Sequence, residues 1–246
     1  MRPSSSEFKI LASSVLFRGM KHEALEEALE LFRCRTGAYE KGELLHPPGS
    51  PLRCFGLVLS GAVMACTDDM DGNLMIMAEV RPGQTFGESL CFLGIEDSPV
   101  YIRASADSEV AWLYLDDIFS NSRNLSVYKS NPDSGTHPDL GRYSGLVVEL
   151  QHRFSAMLAR RTLEMNRRIQ VLSKPRIRNK LMTFFLQQSS ATGSDSFTVS
   201  MNREDLAAYI GSERSALSRE LSRMRRDGLI DFKGNSFHLL REAQNN

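Results

Sequence analysis

Five arginines and three serines fall within thirteen residues, Arg214, Ser215, Ser218, Arg219, Ser222, Arg223, Arg225 and Arg226. An arginine fork donates two hydrogen bonds at once, a geometry that suits O6 and N7 of a guanine or a pair of phosphate oxygens. Serine is short enough to let a helix approach a base edge. Arg203, eleven residues earlier, adds a further cation. A run of charge on its own describes a solvated helix face. Here the surroundings ask for more, because a glycine turn precedes the run and a hairpin signal follows it.

The elements that must position these side chains read out in order. Asn202 is placed as the N-cap of a short helix with Leu206, Ala207 and Ile210 at core spacing. Gly211 supplies a sharp turn. A second helix is expected over about 213–227, with Ser212 as its cap and Ala216, Leu217, Leu221 and Met224 inward. Gly228 ends it. Strands over 229–233 and 236–240 flank a Gly234–Asn235 turn. Helix, turn, arginine-rich helix and hairpin together describe a winged helix-turn-helix, whose second helix enters the major groove of duplex DNA.

RSALSREL, RMRRDGLI and FHLL resemble the C-terminal domain of CRP/FNR-type bacterial transcription regulators, the cyclic-AMP receptor protein and fumarate–nitrate regulator superfamily. The resemblance implies DNA contacts by Arg214, Ser218 and Arg219. Ser215 departs from the pattern, since both namesakes carry a glutamate that reads a cytosine. Arg203 and Arg223 complete the expected DNA-binding set.

The first half has a different texture. Short strands are expected over 34–39, 55–59, 62–67, 74–80, 101–106 and 110–114, separated by Gly and Pro turns, behind a helix over 21–32. Strands at this spacing argue for a β-roll. FGLVLSGAV, RPGQTFGESLCFLG and YIRASADSEVAWL are similar to the cyclic-nucleotide-binding roll of the same superfamily. By that resemblance GQTFGESL is the phosphate-binding cassette, Glu88 stands where nucleotide binders hold the ribose, and Phe86, Gly87, Ser89, Ser98 and Pro99 surround the effector. A buried phosphate asks for a cation and donors. Ser98 has no charge and Pro99 no N–H, and Arg103 falls at the family's separate structural arginine. The expected effector is therefore a small molecule other than cyclic AMP.

A long helix is expected from 144 to about 173, with apolar or tolerant residues at Val147, Leu150, Phe154, Leu158, Thr162, Met165, Ile169 and Leu172. These steps average close to the ~3.5-residue coiled-coil period, which favours a helix–helix seam. The family places its two-fold contact on this helix, so Leu150, Phe154, Leu158, Met165, Ile169 and Leu172 are the expected dimer interface. Met165 and Asn166 fall near where cyclic-AMP binders present hydroxyls to the adenine, and join the effector set. Lys174–Pro175 breaks the helix. A helix over 176–188 and a small-residue loop over 189–196 lead to a strand at 197–200.

The α+β fold thus divides into a sensor roll with linker over 1–143, a dimerisation helix over 144–174 and a winged domain over 175–246. The linker over 120–143 is polar and longer than the family places there. From Arg142 onward there are 18 Lys/Arg against 10 Asp/Glu, and before it 12 against 20. Nucleic acid belongs with the basic half.

The four cysteines are scattered without a CxxC, as buried thiols would be, and no iron–sulfur group or other cofactor is expected. No triad or zinc spacing marks an enzyme. With no signal peptide or apolar run near ~18 residues, a cytoplasmic protein without a membrane partner is expected. The resemblance implies a homodimer reading a pseudo-palindromic site and touching RNA polymerase. Two other readings remain, a haem-based gas or redox sensor of the same fold and a cyclic-nucleotide-binding regulatory module.

Overall fold

In a computed structural model, which describes residues 5–68, 74–119 and 144–240, the alternating stretches of the first half become two four-stranded antiparallel sheets. The chain divides into two units, Met1–Leu158 and Ala159–Asn246.

The first unit opens with helices α1 (Ser5–Ser13) and α2 (His22–Leu31). Strands β1 (Arg35–Tyr39), β2 (Leu44–His46), β3 (Cys54–Ser60), β4 (Val63–Asp68), β5 (Leu74–Val80) and β6 (Thr85–Phe86) follow. After them come α3 (Glu88–Leu93), β7 (Tyr101–Ala104), β8 (Ser108–Tyr114) and α4 (Asp116–Phe119). One sheet is ordered β1-β8-β3-β6 and the other β2-β7-β4-β5. Period-two alternation gives each strand two faces. Val58, Val63, Val80, Phe86, Ile102 and Val110 come from both sheets and fill the space between them. Phe55, Leu57, Ala111 and Leu113 point the other way and pack with Leu25, Leu29 and Phe32.

Helix α5 (Ser144–Leu172) runs through the point where the two units divide. Its first turns contribute Val147, Leu150, Phe154 and Met157 to the core of the first unit. The second unit continues with α6 (Ile177–Thr192), β9 (Ser196–Thr198), α7 (Arg203–Ile210), α8 (Arg214–Arg226), β10 (Ile230–Lys233) and β11 (Ser236–Leu239). The three strands form one antiparallel sheet, β10-β11-β9. Leu181, Phe184 and Phe185 of α6, Leu206 and Ile210 of α7, and Leu217, Leu221 and Met224 of α8 close on it around Phe237.

The α+β class and the order roll, helix, winged domain agree with the expectation. Helices α1, α3 and α4 and strands β2 and β6 were not anticipated, being short or interrupted by polar residues. Residues 189–192, expected as loop, continue α6 up to Gly193, where φ is +65° and a left-handed C-cap ends the helix. The 120–143 linker lies outside the described residues.

All four cysteines are free thiols. Burial pushes the Cys34 thiol up to about 12, so it stays protonated at neutral pH. Among the described residues no group of three or more His, Cys, Asp or Glu is arranged to hold a metal ion, and no helix is long and apolar enough to cross a membrane.

Candidate nucleic-acid interface and effector cassette

The turn between α7 and α8 is fixed at both ends. The Asn202 carboxamide oxygen accepts from the backbone N–H groups of Glu204 and Asp205 at 2.8 and 2.9 Å, the capping expected of it. Gly211 ends α7 with φ +63°, and a Cβ there would lie 3.2 Å from Leu172 Cδ2. The cap of α8 differs from expectation. Glu213 occupies it, in extended backbone and without a side-chain hydrogen bond. The Ser212 hydroxyl is buried with no partner among the described residues. Its N–H instead closes α7 by donating to the Ala207 carbonyl at 2.9 Å.

Leu217, Leu221 and Met224 form the buried stripe of α8. At about 100° per residue, Ser215, Arg219, Ser222 and Arg226 lie opposite this stripe, Ser218 flanks them, and Arg214 sits in the first turn nearer the stripe's own side; all are exposed. The arginines are not equivalent. Arg225 pairs with Asp231 at 2.8 Å and lies over the Phe232 ring at 5.5 Å. Arg223 approaches Glu220 at 3.5 Å. Arg214, Arg219 and Arg226 have no hydrogen-bond or acidic partner among the described residues. Cations held clear of internal carboxylates are available to an external anion.

Arg203 is placed otherwise than expected. Its guanidinium sits 5.3 Å from the Phe232 centroid and 4.9 Å from that of Phe237, and donates to the Gly234 carbonyl at 2.6 Å. Burial lowers its pKa from the usual arginine value. This side chain braces the β10–β11 turn rather than presenting its fork outward.

In the first unit, the cassette follows β6 directly. Gly87 has φ +79°, a left-handed backbone that favours glycine, and a Cβ there would lie 2.3 Å from Leu52 Cδ2 and push that side chain aside. Glu88 is buried at the first turn of α3 and accepts a hydrogen bond from the Thr85 hydroxyl. That hydroxyl also lies 3.7 Å from Met157 Sδ. Ser89 is exposed. Phe86, expected at the effector, is a core residue, 2 % exposed and edge-on to Trp112. Ser98 is 1 % exposed. Its hydroxyl accepts from the Val100 N–H at 3.2 Å, and its carbonyl from the Gly49 N–H at 2.8 Å. Pro99 is exposed. Arg103 is exposed, on the side of β7 opposite Ile102, which faces the space between the sheets.

The expected interface residues on α5 separate into two groups. Leu150 and Phe154 are fully buried in the first unit, Phe154 against Phe55, Phe92 and Phe119. They are withdrawn from the seam because their own chain already covers them. Leu158 is half-buried on the same cluster. Met165, Ile169 and Leu172 are exposed, as are Leu163 and Asn166. Two cations on α6, Arg178 and Lys180, were not singled out in the sequence, because their partners lie 30 or more residues away.

A helix-turn-helix with an arginine-faced second helix and a three-stranded wing, preceded by a β-roll, defines a DNA-binding transcription regulator. The model of the cyclic nucleotide-binding domain matches residues 37–120, and that of the Crp-like helix-turn-helix domain residues 179–244. The chain belongs to the CRP/FNR type of regulators. It is 24% identical over 220 residues to the cyclic AMP receptor protein of Thermus thermophilus, covering 89% of each chain. It is 26% identical over 219 residues to the transcriptional regulatory protein btr of Bordetella pertussis, covering 86% of this chain and 79% of that protein. The c-di-GMP responsive global regulator CLP of Xanthomonas campestris shares the fold, with TM-score 0.50 at 18% identity over 89% of this chain and 99% of that one. Its relatives are transcription regulators, not enzymes.

Proposed function

We propose that the protein acts as a homodimer on a pseudo-palindromic DNA site, under the control of a small-molecule effector other than cyclic AMP. The observation that carries the DNA reading is the pair Arg214 and Arg219, exposed and without an internal partner among the described residues, with Ser215 and Ser218 between them. Two such helices about one DNA turn apart read two half-sites. Of the residues expected at the interface, Met165, Ile169 and Leu172 are exposed and remain for a second copy. RNA polymerase is the protein partner that membership of this family leads one to expect.

Arg219→Ala is expected to abolish site-specific binding in a gel-shift titration while the dimer persists. Unchanged affinity for the selected site counts against the major-groove role.

The effector reading rests on charge. Where a cyclic phosphate needs a cation and donors, Ser98 is neutral with its hydroxyl engaged by Val100, and Pro99 lacks an N–H. Arg103 points away from the space between the sheets. Saturating cyclic AMP should leave Tm unmoved, whereas a saturable rise overturns the assignment.

A further inference from the structure

Helix α6 reaches into the helix-turn-helix with two cations. Arg178 Nε donates to Glu220 Oε1 at 2.7 Å, and its Nη2 lies 2.6 Å from Asp227 Oδ2. Lys180 Nζ donates to the Ile210 carbonyl at 3.0 Å and lies 3.5 Å from that of Gly211, capping the C-terminal end of α7.

Arg178 is the cation that joins the two acids. Glu220 is the single acidic residue within α8, among five arginines. Facing phosphates it would repel them, yet its side chain is only 13% exposed and turned toward α6. Asp227 is the C-cap of α8, where the helix macrodipole disfavours a negative charge. One guanidinium reaches both, and Arg223 of the same helix approaches Glu220 as well, at 3.5 Å. Seven residues separate the two acids, about 10 Å along the helix axis. Holding two points that far apart fixes the direction and rotation of a rod. Lys180 fixes a third point, at the turn from which α8 departs.

We propose that Arg178, assisted by Lys180, is a positioning residue for DNA recognition, clamping α8 at Glu220 and Asp227 so that Arg214 and Arg219 meet the bases in one register. The inference rests on α8 being the helix that reads DNA. Lysine does not replace arginine here, because a point charge cannot serve two carboxylates in two directions.

The test compares wild-type, Arg178→Ala, Arg178→Lys and Glu220→Gln proteins on a duplex selected from a random pool by the wild type, and on unrelated duplex, over a range of salt. Arg178→Ala should lower the ratio of selected to unrelated affinity by about tenfold, with the salt slope of unrelated binding unchanged, because in this role Arg178 is engaged by Glu220 and Asp227 and not by phosphate. Arg178→Lys should fall between. Glu220→Gln is the sharper arm and covers the event that Arg178→Ala fails to fold. Removing a negative charge from the helix strengthens non-specific binding by electrostatics alone, whereas loosening the clamp weakens discrimination. The expected result is unrelated affinity equal or higher with discrimination lower. Tighter selected-site binding at unchanged discrimination overturns the proposal, and so does a salt slope that drops by about one in Arg178→Ala. A wild type that discriminates no sequence removes the reading of α8 instead. The clamp is then judged in the free protein by amide hydrogen exchange of α8, expected to be about tenfold faster in Arg178→Ala, and equal rates overturn it.

Discussion

Phe86 lays its ring over Gly56 so closely that a Cβ at position 56 would fall 2.0 Å from Phe86 Cζ. The two residues pair across β3 and β6, and Trp112 meets the Phe86 ring edge-on at 5.4 Å. Trp112 in turn donates its indole N–H to the Tyr39 hydroxyl at 2.8 Å. A missing side chain on β3 therefore sets where β6 can lie, and β6 leads straight into Gly87 and Glu88. The cassette is positioned from beneath by an aromatic ladder belonging to the interior of the roll.

Gly56→Ala is expected to destabilise the first unit by about 1–3 kcal/mol, the usual cost of overpacking a closed core. Trp112 is the only tryptophan of the chain and touches the ring that must move. Urea unfolding followed by its fluorescence reads the effect directly. A midpoint equal to wild type contradicts the close approach.

A second expectation concerns acid. His46 is 6% exposed on β2, and its Nε2 is buried without a hydrogen-bond partner among the described residues. Burial lowers its pKa below 6.5, partly offset by a hydrogen bond to the Ser50 backbone. The unfolded chain takes up the proton near 6.5 and the folded chain only at lower pH. Stability from the neutral ring is thus complete above 6.5 and is lost as pH falls through the folded value. The urea midpoint should drop between pH 7 and pH 5 in wild type and drop less in His46→Phe, which has nothing to protonate. Parallel pH profiles for the two proteins rule His46 out as the source.

The reading unit was legible in sequence because its signals are local. Asn202 caps, Gly211 turns and Leu217, Leu221 and Met224 repeat within one helix, all inside a window a few residues wide. Ser212 misled for a local reason as well. A cap is set by backbone conformation rather than residue type, and left-handed Gly211 makes Glu213 the extended residue before α8. The roles of Arg178 and Arg203 were illegible because they depend on Glu220 and Gly234, which only the folded chain brings near. Helix α6 ran past its expected end because small polar residues do not stop a helix. Thr192 bonds back to the Gln188 carbonyl at 3.0 Å, and Gly193 ends it. In the roll, strands with clear alternation were visible, while three-residue β2 beside Pro47–Pro48 was not.

Periodicity on α5 marks apolar positions without saying what covers them, and this leads to opposite expectations for two residues on one stripe. Phe154 is fully buried among Phe55, Phe92 and Phe119, whereas Ile169 is 58% exposed. Phe154→Ala should cost about 3–5 kcal/mol of stability through the cavity it leaves, and the folded fraction should keep the mass of its wild-type assembly. Ile169→Glu should leave Trp112-monitored unfolding of the first unit unchanged when chain concentration is low. It places a charge where an apolar partner is proposed, so light scattering should shift from two chains to one. Loss of DNA affinity should accompany that shift, since one chain spans one half-site. A dimer that survives Ile169→Glu moves the two-fold contact off this stretch of α5, and one that is lost in Phe154→Ala at full folding returns it to the earlier turns.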